Sequence, residues 1–216
     1  MRFKGGLNAN GKVEALHIRV SAPSILATLL KLPLPKGVDG QAVACFNDHP
    51  YDIPNTLVDY AQRNTNVPVG FWRTVGHSQN PFGRECFIDE LALAAGKDPV
   101  AFRLDMLPNN EKSKRDRSIL EAVTKAAGWG SQLPSGVFRG VAETEGYGSW
   151  TACVCEVSVN AKNEVKIQFF TYLFQFHAGS EIRPSTPQTC KELVALSQLG
   201  RVKSAYWRHF CFPSSF

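Results

Sequence analysis

The chain has 216 residues, of which 44% are hydrophobic and 20% are charged, values typical of a globular protein that can bury a core. The net charge is +5, yet residues 1–166 hold 19 basic against 17 acidic side chains, so charge gives no support to nucleic-acid binding. No stretch approaches the ~18 apolar residues of a membrane helix, and residues 1–6 lack the apolar region of a secretory signal. We therefore expect no nucleic-acid partner and no membrane span.

The first third of the chain predicts two strands separated by an irregular segment. Residues 12–21 alternate apolar and polar side chains after a turn at residues 8–11, and this alternation predicts a strand. Residues 24–32 are apolar and could form a short helix that stops at Pro33. Residues 56–62 alternate again, so a second strand is expected there.

Three helices are predicted in the middle of the chain. Asn80 followed by Pro81 is typical of a helix start, and Gly96 of its end. Asp98 followed by Pro99 predicts the start of a second helix, which ends before Pro108. Apolar residues at helical spacing predict a third helix over residues 118–127, preceded by a solvated basic run at 112–117. Asp89 and Glu90 are adjacent on the first helix and are interpreted as surface charges.

The pattern changes to strands after the loop at residues 132–136. Strands are predicted over 137–142, 151–159 and 164–167, with a hairpin turn at 160–163. The fold class is therefore α+β, divided into residues 1–132, a strand-led unit at 137–167 and a divergent tail at 168–216. Residues 167–216 hold seven of the 14 phenylalanines without a clear period. Two explanations of the tail stay open: a shifted reading frame or mispredicted gene end, and a dedicated element that packs on the sheet or on a partner.

Six cysteines show no spacing typical of a metal site. Cys153 and Cys155 are separated by one residue, whereas zinc and iron–sulfur sites use other spacings and need further ligands within reach. We therefore predict small core residues, with no metal ligands and no iron–sulfur motif in this chain.

The most informative segment is the loop at residues 67–78, which reads Val-Pro-Val-Gly-Phe-Trp-Arg-Thr-Val-Gly-His-Ser. Its glycines, Gly70 and Gly76, allow a backbone to approach a ligand closely, and Arg73 offers a planar donor fork suited to oxyanions. Other interpretations remain open. Arg73 could pair with a carboxylate or a helix end, Trp72 could pack under the loop, and His77 could order the loop rather than take part in chemistry.

This loop resembles the molybdenum-binding large subunits of the xanthine dehydrogenase/aldehyde oxidase family, closest to the isoquinoline 1-oxidoreductase beta subunit type. Shorter motifs of the family follow in the same order over about residues 1–167, at residues 11–17, 50–55, 126–130, 139–142, 147–149 and 156–159. The resemblance implies the mixed helices and sheets of a molybdenum-cofactor-binding domain. It also implies molybdopterin, in bacterial members as a cytosine dinucleotide, and hydroxylation of N-heteroaromatic rings or oxidation of aldehydes with oxygen from water.

The resemblance also implies roles for individual residues and partners. Arg73 would approach the cofactor, together with four neighbours in the same loop: Gly70, Trp72, Thr74 and Gly76. Val75 stands where many relatives have an aromatic residue that stacks on the substrate, and Thr151 lies near a position that lines the substrate pocket. A [2Fe–2S] small subunit would carry electrons away, and the location, bacterial cytoplasm or periplasm, stays open.

Two functional segments of the family are not found in this sequence. One is a glycine-rich loop that should precede residue 1, and the other is a Gly-Glu-Pro motif whose glutamate acts as the base; no Gly-Glu-Pro occurs here. We therefore assign no catalytic residue and no metal ligand. We expect a fragment of such a hydroxylase that is inactive alone and binds no cofactor alone. The competing hypothesis is a non-catalytic remnant or interaction module that retains the fold without the cofactor.

Overall fold

A computed structural model describes residues 1–176 and 182–184, which form two sheets and the helices that pack against them. The first sheet contains β1 (Arg2–Leu7), β2 (Val13–Ala22) and β3 (Asn55–Gln62) in that order. β1 is antiparallel to β2, whereas β3 runs parallel to β2. The alternation that predicted β2 is confirmed, because Leu16 and Ile18 are buried and Arg19 is exposed.

A long crossover, residues 23–54, connects the parallel strands β2 and β3. It begins with a short helix, α1 (Ile25–Thr28), and contains a 3-10 turn at Pro35–Gly37. The helix is shorter than the predicted 24–32: it ends at Thr28, and the backbone becomes left-handed further on, at Lys31, with φ of 56°. Buried Asp39 organises the segment: it accepts hydrogen bonds from the Ser24 hydroxyl at 2.7 Å and the Gln41 amide at 2.8 Å.

The central helix α2 (Gly76–Ala94) begins earlier than the sequence predicts. The expected start at Asn80 and Pro81 is wrong, since Pro81 lies inside the helix. The Asn80 side chain does not cap the helix but donates hydrogen bonds to the backbone carbonyls of Ala42 and Ala44. A tertiary contact therefore explains a residue that resembles a local cap.

The other helix boundaries follow their local signals more closely. Gly96 ends α2 with φ of 64° and is followed by α3 (Pro99–Met106). The Asp98 carboxylate accepts hydrogen bonds from the amides of Val100 and Ala101, both at 2.9 Å, so the predicted cap is confirmed.

The third helix, α4 (Lys114–Ala126), starts four residues before the predicted position. The run at residues 112–117 was expected to be a solvated helix start, yet Asp116 is only 2% exposed. That expectation is wrong for Asp116, because α4 packs against β4, β5 and β6 of the second sheet and turns this carboxylate inward.

The second sheet is an antiparallel meander of β4 (Val137–Gly146), β5 (Ser149–Val159), β6 (Val165–Phe176) and β7 (Ile182–Pro184). The predicted hairpin turn is confirmed, since the Asn160 amide donates to the Glu164 carbonyl at 3.1 Å. β6 does not end near residue 167 as expected, because its pairing with β5 continues to Phe176. The rest of the predicted tail, apart from β7, lies outside the described residues.

The buried apolar side chains form one core cluster that draws on both sheets and on α2, α3 and α4. The loop at residues 132–136 connects α4 to β4, and the division into two units there stays a prediction. Helix α2 packs closely on β1 of the first sheet. A Cβ added at Gly5 of β1 would lie only 2.7 Å from the Leu91 side chain of α2. Within residues 1–176 and 182–184, no helix is long and apolar enough to cross a membrane.

Candidate functional site

The segment before α2 presents its aromatic and basic side chains to solvent. Trp72 is 79% exposed and Phe71 is 50% exposed, and Arg73 is exposed as well. Trp72 is therefore not packed under the loop, and one of the two interpretations of this residue is wrong. An indole exposed in this way is available to contact a planar ligand.

The two residues that join this loop to the helix have unusual backbone conformations. Thr74 has φ of 69°, and Val75 has φ of 47° with ψ of −120°. Positive φ is uncommon outside glycine and is a clear outlier for a β-branched residue, at a cost of about 1–3 kcal/mol each. Such strain persists only where surrounding structure holds the backbone in place.

The loop forms one wall of a cavity of about 410 Å³. The other walls are the end of β2, the crossover around Asp39 and the first turns of α2. Small-molecule sites are typically about 300–1,000 Å³, and in sheets with parallel strands ligands bind beyond the carboxyl ends of those strands. This cavity lies at the carboxyl end of β2, beside the parallel strand pair, so its size and place suit a ligand.

The structure brings together some of the residues singled out from the sequence and separates others. Gly70, Trp72, Val75 and Gly76 all line the 410 Å³ cavity. Arg73 and Thr74 lie between them in the chain, but their side chains do not line it. Thr151 lines a different cavity, of about 100 Å³, with Glu85, Cys153 and Tyr172 among its walls. Val75 and Thr151 therefore do not face one common space, and their substrate roles stay predictions.

The two glycines of the loop differ in their surroundings. A Cβ added at Gly76 would lie 2.6 Å from the Gln41 carbonyl oxygen and 3.0 Å from the Asn80 amide nitrogen, so no side chain fits there. A Cβ added at Gly70 would meet nothing within 4 Å. Gly76 is thus required by close packing, whereas close approach of a ligand at Gly70 stays a prediction.

His77 joins the start of α2 to the rest of the molecule. Its Nδ1 lies 2.9 Å from the Cys45 Sγ and 3.2 Å from the Glu145 carbonyl oxygen. Its ring centroid is 4.8 Å from that of Tyr147. Burial raises the pKa of the Cys45 thiol to about 11, so this thiol is neutral at pH 7 and is not an activated nucleophile. These contacts favour the interpretation that His77 orders the loop.

A buried cluster of charged side chains lies next to these residues. The Glu85 carboxylate accepts hydrogen bonds from Arg84 Nε at 2.9 Å, Arg103 Nε at 3.0 Å and the Tyr51 hydroxyl at 3.0 Å. Burial acts to raise the pKa of Glu85, but the two guanidinium groups outweigh it and hold the pKa below its usual value. Glu85 is therefore a buried carboxylate that stays ionised.

Glu143 on β4 shows the opposite balance within this cluster. Burial and the neighbouring Glu85 raise the pKa of Glu143 to about 8. Arg84 Nη2 is 3.5 Å from one oxygen of Glu143, and the other oxygen has no partner in the described part of the chain. Burial also raises the pKa of Asp116. At neutral pH the Glu143 carboxyl group therefore holds a proton.

The sequence patterns do not indicate this cluster, whose members come from distant parts of the chain. The Asp89 side chain is partly exposed, as the interpretation of a surface charge expects, but it also accepts a hydrogen bond from Arg103 Nη1 at 2.6 Å. One signal was available: Arg103 stands in α3 between Phe102 and Leu104, where a completely buried arginine needs anionic partners. In residues 1–176 and 182–184, no group of His, Cys, Asp or Glu side chains is arranged to hold a metal ion.

Comparison with known proteins supports the resemblance. Residues 1–107 match the family model described as the molybdopterin cofactor-binding domain. The chain is 26% identical over 227 residues to a membrane-bound aldehyde dehydrogenase [pyrroloquinoline-quinone] of Gluconacetobacter polyoxogenes, with 93% of this chain and 29% of the relative covered. It is 32% identical over 242 residues to a nicotinate dehydrogenase subunit of Pseudomonas putida, with 96% and 20% covered. It is 29% identical over 113 residues to the isoquinoline 1-oxidoreductase beta subunit of Brevundimonas diminuta, with 51% and 14% covered.

The family-model match assigns residues 1–107 to the molybdopterin cofactor-binding domain, and the structure shows the mixed helices and sheets expected for it. The family-model match and the three relatives support the chain as a member of the molybdopterin-binding hydroxylase family. The chain spans between 14% and 29% of the length of these relatives. Since one match covers 96% of the chain, the similarity extends past residue 167, where it was expected to stop.

Proposed function

We propose that this chain forms one wall of the molybdopterin site of a hydroxylase that oxidises N-heteroaromatic rings or aldehydes. The observation that supports the proposal is the 410 Å³ cavity whose wall contains Gly70, Trp72, Val75 and Gly76. The cofactor would be the cytosine dinucleotide form. We further propose a [2Fe–2S] subunit as the partner that accepts electrons, as the family resemblance implies.

The residues around the cavity fit such a group. Gly76 presents bare backbone because a side chain would collide with Gln41. The exposed Trp72 indole offers a flat apolar surface, and the cavity wall also carries the amides of Gln41 and Gln79. A large cofactor with fused rings and many hydrogen-bonding atoms needs this combination of bare backbone, flat surface and amides.

When bound, molybdopterin supplies the molybdenum centre at which water-derived oxygen is transferred to the substrate. The residues of this chain would orient and shield that centre. Arg73 would donate its planar pair of N–H groups to oxygen atoms of the cofactor. Val75 would present a small apolar side chain toward the substrate, where an aromatic residue would stack on it.

Replacement of Arg73 in the whole protein tests the proposal. Arg73→Ala should lower molybdenum content or turnover about ten- to hundredfold, since a charge-assisted hydrogen bond is worth ~1.5–3 kcal/mol and each ~1.4 kcal/mol is a factor of ten. Arg73→Lys should recover only part of the loss, because an ammonium group lacks the planar fork. Molybdenum by elemental analysis, the steady-state rate and the melting temperature are the measurements.

Arg63 provides a matched control, because it is an exposed arginine ten residues before Arg73 and lies outside the loop at residues 67–78. Arg63→Ala should leave metal content and rate unchanged. If Arg73→Ala retains full metal and full rate but lowers the melting temperature by several degrees, Arg73 is structural and the proposal fails. A whole protein that folds but never takes up molybdenum would instead favour the non-catalytic remnant.

A further inference from the structure

The first turn of α2 is fixed to the crossover by a pair of hydrogen bonds from one side chain. The Asn80 amide nitrogen donates to the Ala44 carbonyl at 2.8 Å and to the Ala42 carbonyl at 3.1 Å. Asn80 is 1% exposed, so both bonds are shielded from water. Because both acceptors are carbonyls, the side chain must present its NH2 group, with one hydrogen for each.

The same turn is held at two more points. Gly76 lies directly against the Gln41 carbonyl oxygen, at a distance that leaves no room for a Cβ. His77 lies between Cys45 and the Glu145 carbonyl, so it connects the turn to both the crossover and β4. Three anchors within five residues therefore fix the position and direction of the helix start.

This fixed turn directly follows the two strained residues. Thr74 and Val75 have positive φ, and the Val75 conformation is one that a β-branched residue does not adopt unless it is forced. The Thr74 carbonyl is also held by the His77 amide at 2.8 Å. The anchors on one side of the strained pair thus oppose its tendency to relax.

We infer that Asn80 is a positioning residue, whose two hydrogen bonds keep Thr74 and Val75 in their strained conformation and preset the cavity wall before any cofactor arrives. The importance of Asn80 for cofactor binding rests on the proposed function. Its effect on the backbone of Thr74 and Val75 can be measured in this chain alone. This role of Asn80 is distinct from contact with the cofactor or substrate.

Trypsin provides a direct measure, because Arg73 is exposed and immediately precedes the strained pair. Cleavage of a folded protein requires local opening of the segment into an extended form. In the 216-residue chain without cofactor, Asn80→Asp and Asn80→Ala should raise the cleavage rate after Arg73 by about tenfold or more relative to cleavage after Arg63. Asn80→Asp is the sharper variant, since it has the shape of asparagine but cannot donate to the two carbonyls.

Glu90→Ala, an exposed position on the same helix, is the control and should leave the ratio unchanged. If a variant fails to fold, Asn80→Ser retains one donor and should give an intermediate ratio. The inference is overturned if Asn80→Asp cleaves like the parent chain, or if all trypsin sites accelerate equally. The two proposals can fail separately. If Asn80→Asp raises the ratio of cleavage after Arg73 to cleavage after Arg63, the role of Asn80 is supported. If Arg73→Ala of the whole protein nevertheless keeps its full molybdenum content and rate, the proposed function fails.

Discussion

Replacement of Glu143 by glutamine should remove a pH dependence of stability that the parent chain shows between about pH 6.5 and 8. Glu143 is fully buried, and burial together with Glu85 raises its pKa to about 8 from an ordinary value of 4.5. The folded chain therefore keeps this proton up to about pH 8, whereas the unfolded chain has already released it. Stability should fall as pH rises through this window, because ionisation is disfavoured only in the folded state.

The size of the effect follows from the number of protons involved. One proton gives a slope of at most ~1.4 kcal/mol per pH unit, so the loss from about pH 6.5 to 8 is at most about 2 kcal/mol. Burial lowers the pKa of His49 to about 4, which makes stability rise with pH up to the ordinary histidine value of 6.5 and sets the lower limit of the window. Burial raises the pKa of the Cys45 and Cys153 thiols from an ordinary value of 9.0 to about 11, so their effect on stability begins near pH 9, above the window.

Urea denaturation of the 216-residue chain at several pH values across this window measures the slope. Glu143→Gln should give a flat profile, because glutamine has the shape of the protonated acid and no proton to lose. The groups that face Glu143 are Arg84, Glu85 and Asp116, with Tyr51 nearby. Glu145→Gln, two residues along β4, is the matched control and should keep the parent slope. A Glu143→Gln variant that also keeps the parent slope would refute the reasoning and point to Asp116.

Two further predictions concern stability. Arg103→Leu removes hydrogen bonds to Glu85 and Asp89 and leaves a buried carboxylate short of partners, so the free energy of unfolding should fall by about 3–5 kcal/mol in urea denaturation; a loss below about 1 kcal/mol would contradict the account. Asp98→Ala should cost about 1 kcal/mol by thermal unfolding, because Asp98 caps α3 and accepts a hydrogen bond from Trp129, and Asp98→Asn should recover most of it.

Local signals in the sequence were sufficient where the responsible interaction is itself local. Gly96 ends α2 because its backbone is left-handed, and Asp98 starts α3 because its carboxylate reaches amides two and three residues away. The alternation in β2 similarly reports the burial of one face. These features depend on a few neighbouring residues, so the sequence alone predicts them.

The rest depended on residues that are distant in the chain. Asn80 resembles a helix cap, but its partners are carbonyls almost forty residues earlier, and α2 therefore begins before it. Asp116 resembles a surface charge until α4 is packed on the second sheet, and the ion pair of Asp89 with Arg103 forms only when α3 lies beside α2. For the candidate site, the resemblance identified four residues that share a cavity, but no pattern indicated that Thr151 faces a separate one.

The parallel pairing of β2 with β3 has a consequence for how the molecule assembles. β4, β5 and β6 are joined by short turns, and contacts between such neighbours form quickly because little chain entropy is lost. β2 and β3 meet only after the whole crossover is closed, and the same crossover supplies the carbonyls that hold Asn80. When the full chain refolds from denaturant, the hairpins of the meander should therefore form before the parallel strand pair that borders the cavity.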